Sequence, residues 1–218
     1  MFDLNPKVLQ MLKEEYSYIP EHCENESIFI PESKARDYYI KSFGKTRDYY
    51  IKSFGYVLIS EAIIKILSNI CKDKSVLDIG SGSGWLSYRL EQSGIDITAL
   101  DNNSSHRPSK IWKLDIETNA LTFDISSWDI IILSWPLYDD PFGYNILQKI
   151  LDNQMLIYQG ERSGGCTGDD NFHTYLNDNF TEDERLSDEL NKEHLQFFGL
   201  HDWWFVYNRI GRLTHENT

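Results

Sequence analysis

Asp78, Gly80, Ser81, Gly82 and Gly84 fall within a single stretch, VLDIGSGSGWLSYRL (76–90), in which an apolar run ends in a carboxylate and three alternating glycines follow. Glycine is needed where backbone takes a positive φ or lies against a ligand with no Cβ in the way. A helix starting just after the glycines would present free N–H groups to that ligand. A dinucleotide fingerprint wants glycine at its sixth position, and here that position is Trp85. A nicotinamide or flavin pyrophosphate is therefore disfavoured, and the carboxylate of Asp78 would repel phosphate while holding a cation. Asp101 closes the next apolar run (95–100). In a doubly wound sheet, an acidic side chain there accepts both hydroxyls of a ribose. The plainer alternative for the glycines alone is a tight strand-to-helix turn, and Asp101 weighs against it.

These residues need a parallel sheet to hold them. Strands are expected at 75–79, 95–100, 111–114, 129–134, 155–159 and 203–207, and helices at 85–92, 144–151, 170–179 and 182–191. The near-continuous apolar character of 129–134 suits a strand covered on both faces. Apolar residues at Ile59, Ile63, Ile66, Leu67 and Ile70 recur at helical spacing, with Ser60 a candidate cap. Alternation of strands and helices predicts an α/β fold, a doubly wound and mostly parallel seven-stranded sheet with an N-terminal helical extension. The extension is assigned to residues 1–55 and the ligand-binding domain to 56–218. Within the extension, KARDYYIKSFG (34–44) is followed by KTRDYYIKSFG (45–55), identical at ten of eleven positions. Two units are too few for a repeat architecture. A tandem duplication, largely helical and outside the sheet, is the expected reading.

Composition narrows the partners. Lys and Arg total 21 against 34 Asp and Glu, a formal net charge of −13 in 218 residues. So acidic a chain has no general attraction to phosphate backbones or anionic lipid, which disfavours nucleic acid and membrane surfaces as partners. Cys23, Cys71 and Cys166 lie far apart, and the six histidines show no ligand spacing, so neither a disulfide framework nor a metal site is expected. The N-terminal residues lack a secretory pattern. The longest uncharged apolar run, 130–138, is about half of what a membrane-spanning helix needs. A cytoplasmic location is the expectation.

The stretch through Asp101 resembles the first two motifs of class I S-adenosylmethionine-dependent methyltransferases. The resemblance implies S-adenosylmethionine as cofactor, with Gly80, Ser81, Gly82 and Gly84 along its methionine and ribose parts. It also implies Asp78 near its aminopropyl end, Asp101 with Asn102 at the ribose, and Asp115 with Ile116 near adenine. Further along, WDIIILSWPLYDDPFGYNIL (128–147), LIYQGERSGGCTGDD (156–170) and HDWWFVYNR (201–209) resemble a branch of methyltransferase-like proteins. That branch carries a Trp-Pro-Pro turn after strand four and a Gly-Gly-Cys-Thr-x-Asp-Asp loop after strand five. Here the turn reads Trp135-Pro136-Leu137, without the second proline, and the loop at 164–170 is intact.

Ligands in open α/β sheets sit at the carboxyl ends of the strands, which should gather 134–138, 160–161 and 166–170. Ser134 and Trp135 are therefore added to the cofactor-binding candidates. Glu161 is the candidate base for an incoming hydroxyl or amine and Tyr138 its catalytic companion. The alternative for Glu161 is anchoring the glycine-rich loop through backbone N–H groups. Trp135 and Tyr138 could stack on a flat acceptor or favour a sulfonium, or simply pack under the substrate lip. Asp169 or Asp170 reads as a helix cap, and Cys166 as a structural thiol. The leading expectation is a methyltransferase acting on a small-molecule or protein acceptor. A catalytically silent cofactor-binding module follows, then a nucleic-acid methyltransferase, whose Asp/Asn-Pro-Pro-aromatic turn is missing, and last a nicotinamide oxidoreductase.

Overall fold

The computed structural model describes residues 50–103, 109–197 and 200–211. Seven strands form one sheet: β1 Val76–Ile79, β2 Ile97–Asp101, β3 Ile116–Glu117, β4 Ile130–Ser134, β5 Met155–Glu161, β6 Phe180–Glu182 and β7 Asp202–Arg209. Their spatial order is β3-β2-β1-β4-β5-β7-β6. The first five strands pair in parallel, whereas β7 runs antiparallel to both β5 and β6. The order reverses between β1 and β4, and ligand sites in such sheets lie where the order reverses.

Helices cover each face. On one side lie α1 (Glu61–Ile70), α2 (Trp85–Gln92) and α5 (Glu184–Asn191); on the other lie α3 (Phe142–Lys149) and α4 (Asp170–Asn179). Helix α1 starts where sequence chemistry says it should, because Ser60 accepts the Ile63 N–H at 3.1 Å. Its buried face is Ile63, Ile64 and Leu67. Central strands β1 and β4 are apolar on both faces, with Ile130 and Ile132 packed in one core and Ile131 and Leu133 in the other. On β7, Trp203 is 40% exposed and Trp204 fully buried, so the pair straddles the sheet.

Two elements depart from the sequence-based expectation. The third strand is not 111–114 but the two-residue β3. Residues before it bond to the glycine loop instead: the Trp112 N–H donates to the Ser83 carbonyl at 2.7 Å. The Trp112 ring then joins an aromatic cluster with Phe54, Trp85 and Tyr88. Strand β6 is also additional, three residues between two helices that carry no periodicity long enough to announce a strand.

Of the duplicated segment, residues 50–55 are described and the rest lies outside the described residues, as does most of the expected helical extension. Residues 50–54 are helical. Tyr50 is fully buried in the core beside α1, donates to the Val57 carbonyl at 3.1 Å and accepts from the Ile59 N–H at 3.2 Å. The end of the second copy thus packs against the same core as the sheet.

Candidate functional site

A cavity of about 360 Å³ opens at the carboxyl ends of β1, β2 and β4. Its floor is the loop after β1. Gly82 has φ +56° and its N–H donates to Asp101 Oδ2 at 2.9 Å, so the loop holds the carboxylate that ends β2. The other oxygen, Oδ1, accepts from the Asn103 N–H at 2.6 Å. Asp101 is thereby fixed facing the cavity before any ligand arrives. Gly84, at φ +67°, caps α2, and a Cβ there would lie 1.8 Å from the Lys113 carbonyl oxygen. Only glycine lets residues 111–113 cross so close to the loop.

Asp78 is almost completely buried at the end of β1, and its Oδ2 accepts from Ser87 Oγ at 2.6 Å. Burial pushes its pKa up to about 7; the Ser87 hydrogen bond opposes the shift, and the nearby Asp101 charge adds to it. Asp78 Oδ1, Ser81 Oγ and Ser134 Oγ are buried polar atoms with no hydrogen-bond partner among the described residues. All three belong to residues lining the cavity. Unpaired buried polar groups are costly, so three of them around one space point to a polar ligand that completes them.

The sequence-nominated residues divide sharply. Asp78, Gly80, Ser81, Gly82, Asp101, Asn102, Ser134 and Trp135 all line the cavity, while Gly84 supports it from the helix cap. Asp115 and Ile116 do not. Asp115 Oδ2 accepts the Ala99 N–H at 2.7 Å and pairs with Lys113, so its carboxylate ties the chain to β2. Ile116 packs against the core on the α3 side of the sheet. Thr118 and Ala120, a few residues further on, line the cavity instead.

Glu161 is likewise not a lining residue. Its side chain is buried, with Oε2 accepting from the Cys166 N–H at 2.5 Å and Oε1 from the His201 N–H at 2.9 Å. Both oxygens are engaged by backbone, which is the anchoring alternative rather than the basic one. Tyr138 is 68% exposed and also lies outside the lining. Asp169 caps α4 through the Phe172 N–H at 2.7 Å, and Cys166 is an exposed free thiol.

The Gly-Gly-Cys loop instead braces the turn after β4. Leu137 forms an isolated antiparallel bridge with Thr167, Gly168 N–H donates to the Pro136 carbonyl at 3.0 Å, and Asp139 N–H donates to the Gly168 carbonyl at 3.1 Å. Thr167 Oγ1 is within 2.7 Å of Tyr158 Oη and accepts from the Glu161 N–H at 2.8 Å. On this support Trp135 adopts φ +51°, a conformation rare for a bulky residue.

Several lining residues escaped the sequence reading. Phe54, Gly55, Tyr56, Val57 and Ile59 form one wall, and Asp140 and Phe142 close another. The Tyr56 and Trp135 rings stack 5.8 Å apart at an interplanar angle of 10°. The one signal for that wall was Tyr56 following the repeat's glycine. Among the described residues, no three His, Cys, Asp or Glu gather as a metal would require, and no helix is long and apolar enough to cross a membrane.

Comparisons with known proteins bear on this site. Residues 42–135, less than half of the chain, match the family model of the tellurite resistance protein TehB. Among curated proteins nothing matches. Similar solved structures include a TehB-like S-adenosylmethionine-dependent methyltransferase from Corynebacterium glutamicum, at 14% identity and TM-score 0.45, covering 68% of this chain and 88% of that one. The N-methyltransferase NodS from Bradyrhizobium japonicum has 19% identity and TM-score 0.45, with 69% and 96% covered. A Burkholderia thailandensis 1,6-didemethyltoxoflavin-N1-methyltransferase, solved with its acceptor and S-adenosylhomocysteine, has 15% identity and TM-score 0.41, with 86% and 93% covered. The sheet order and the loop after β1 make this chain a doubly wound, mostly parallel α/β fold, whose residues 42–135 are similar to TehB.

Proposed function

We propose that this chain is an S-adenosylmethionine-dependent methyltransferase acting on a small-molecule or protein acceptor. The observation that carries the reading is the Asp101 carboxylate, oriented into the cavity by the Gly82 and Asn103 N–H groups. That geometry suits the two hydroxyls of a ribose. Asp78, nearer the sheet, suits an ammonium group. When bound, S-adenosylmethionine supplies a methyl group on a positively charged sulfur, already activated for displacement.

The chain's own residues then have to position and select. Asp78, Asp101 and Asp140 put three carboxylates around the cavity, a field that favours a cationic ligand over its neutral product. Ser134, at the end of β4, offers a hydroxyl where the acceptor would enter. With Glu161 bound to loop amides, positioning rather than a strong base accounts for catalysis. The Trp-Pro turn and the Gly-Gly-Cys loop belong to this reading as the acceptor end, held together as one unit and resembling the branch noted from sequence.

Calorimetry with S-adenosylhomocysteine tests the reading. Asp101→Ala should weaken binding about 10- to 100-fold, the range for hydrogen bonds to a charged group. Unchanged affinity would show that the ribose lies elsewhere. Binding of NAD instead would return the oxidoreductase reading, and binding without turnover of any acceptor would favour the silent module.

A further inference from the structure

We infer that the methyl acceptor is a flat, uncharged nitrogen heterocycle or arylamine that lies against Tyr56 and Trp135, and not an oxyanion; this rests on the methyltransferase reading above. Three observations converge on it.

The first is shape. Tyr56 and Trp135 meet at the cavity, one from the chain leading into α1 and the other from the exit of β4. Their rings are parallel to within 10° and both line the cavity. Each is only half-buried. Trp135 is held at φ +51° by its own N–H, which donates to the Gln159 carbonyl at 2.7 Å, and by the bridged turn that follows. A bulky residue kept in that region by its surroundings marks a place where ring position is used. At a centroid distance of 5.8 Å the two rings cover each other's inner faces, so an incoming flat ring would extend the stack from its outer side, a contact that a compact inorganic ion cannot make.

The second is charge. Asp78, Asp101 and Asp140 line the cavity, and among the described residues no Lys, Arg or His does. An oxyanion such as tellurite or a carboxylate would meet the Asp140 and Asp101 carboxylates with no cationic side chain in the lining to offset them. A nitrogen that becomes positive as it accepts the methyl meets the opposite situation, with carboxylates and the outer face of the ring stack to receive the charge.

The third is proton accounting. A phenol or alcohol must lose its proton to become a good nucleophile, and Glu161, the sequence-nominated base, is committed to loop amides. A neutral ring or aryl nitrogen offers its lone pair directly. The new N–C bond forms as the S–C bond breaks with its electron pair going to sulfur; an arylamine then loses a proton from that nitrogen, and an imidazole-type ring from its second nitrogen, to water at the mouth, where Leu137 is exposed. Asp140 and Ser134 are the groups placed to accept a hydrogen bond from the acceptor's N–H.

The test uses the full chain saturated with S-adenosylhomocysteine, titrated with benzimidazole, with benzoate and with tellurite, and read by calorimetry and tryptophan fluorescence. Benzimidazole should bind at least tenfold more tightly than benzoate and quench fluorescence, and tellurite should give no signal. Tyr56→Leu should weaken benzimidazole at least tenfold while S-adenosylhomocysteine still binds. Trp135→Asn should abolish the quench, since asparagine tolerates positive φ and removes only the ring. Equal binding of benzimidazole and benzoate, tellurite binding, no binding of either flat probe, or an unaltered Tyr56→Leu variant would each overturn the inference. Failure of S-adenosylhomocysteine to bind the wild-type chain would instead sink the cofactor reading, and the acceptor inference with it.

Discussion

Ser83 Oγ donates to the carbonyl of Phe54 at 2.5 Å, joining the glycine loop to the last turn of the duplicated segment. The same hydroxyl accepts from the Trp85 N–H at 3.3 Å, and the Phe54 ring packs tilted against the Trp85 ring with centroids 5.0 Å apart. The floor and one wall of the cavity are therefore a single hydrogen-bonded structure. Ser83→Ala leaves the buried Phe54 carbonyl unpaired and should cost about 1–3 kcal/mol of stability in denaturant unfolding. A variant as stable as wild type would show that the junction contributes nothing.

Asp78 yields a pH prediction with opposite signs for stability and binding. Its folded pKa of about 7 lies above the ordinary carboxylate value, so the native state binds the extra proton between roughly pH 4 and 7. Its contribution is fully present below that window and is lost as pH rises through about 7. Asp78→Asn mimics the neutral form. The variant should melt higher than wild type at pH 8, with the gap closing toward pH 5. If Asp78 holds the cofactor's ammonium, S-adenosylhomocysteine affinity should rise with pH through about 7 in wild type and stay flat in the variant. Parallel melting curves at both pH values would refute the buried-carboxyl account.

Glu161→Gln separates support from catalysis. A neutral amide keeps one acceptor oxygen where the carboxylate serves two N–H groups. The expected outcome is a loss of about 1–3 kcal/mol in stability with cofactor affinity within twofold. Any methyl transfer, once an acceptor is in hand, should fall far less than the 10²-fold expected for loss of a general base.

The duplication gives a paired experiment. Removing 34–44 or removing 45–55 yields chains that differ only in Ala35 against Thr46, because every other position of the two units matches. Either deletion restores Tyr, Phe and Gly at the positions now held by Tyr50, Phe54 and Gly55. We expect both shortened chains to fold and to bind S-adenosylhomocysteine within a few-fold of the parent. Collapse of either would show that the chain needs both units.

How far the sequence speaks is clearest residue by residue. The loop from Asp78 to Gly84 and its partner Asp101 were legible because positive φ, close approach and a strand-end carboxylate each restrict residue type. Ser60 and Asp169 were legible as caps for the same local reason. Asp115 and Glu161 were nominated for the cavity and do not line it, because a carboxylate beside a strand reads identically whether it faces a ligand or backbone amides. Only the fold shows that Ala99, Cys166 and His201 claim those oxygens. Tyr56 and Asp140 were missed because nothing local distinguishes a lining ring or acid from a surface one. Strand β6 was missed because its three residues gain their pairing from β7, which lies far along the chain.

The Leu137–Thr167 bridge has a consequence for how this chain can diversify. It couples the turn that presents Trp135 to a loop a full strand and helix away, so neither segment can be reshaped alone without losing the other's support. The loop after β1, by contrast, is braced by Asp101, Phe54 and Trp112 rather than by either of those segments, and can stay constant. Altered acceptor preference is therefore a two-segment trait, and a library that varies 135–140 together with 164–169 should reach new specificities that either segment varied singly will not.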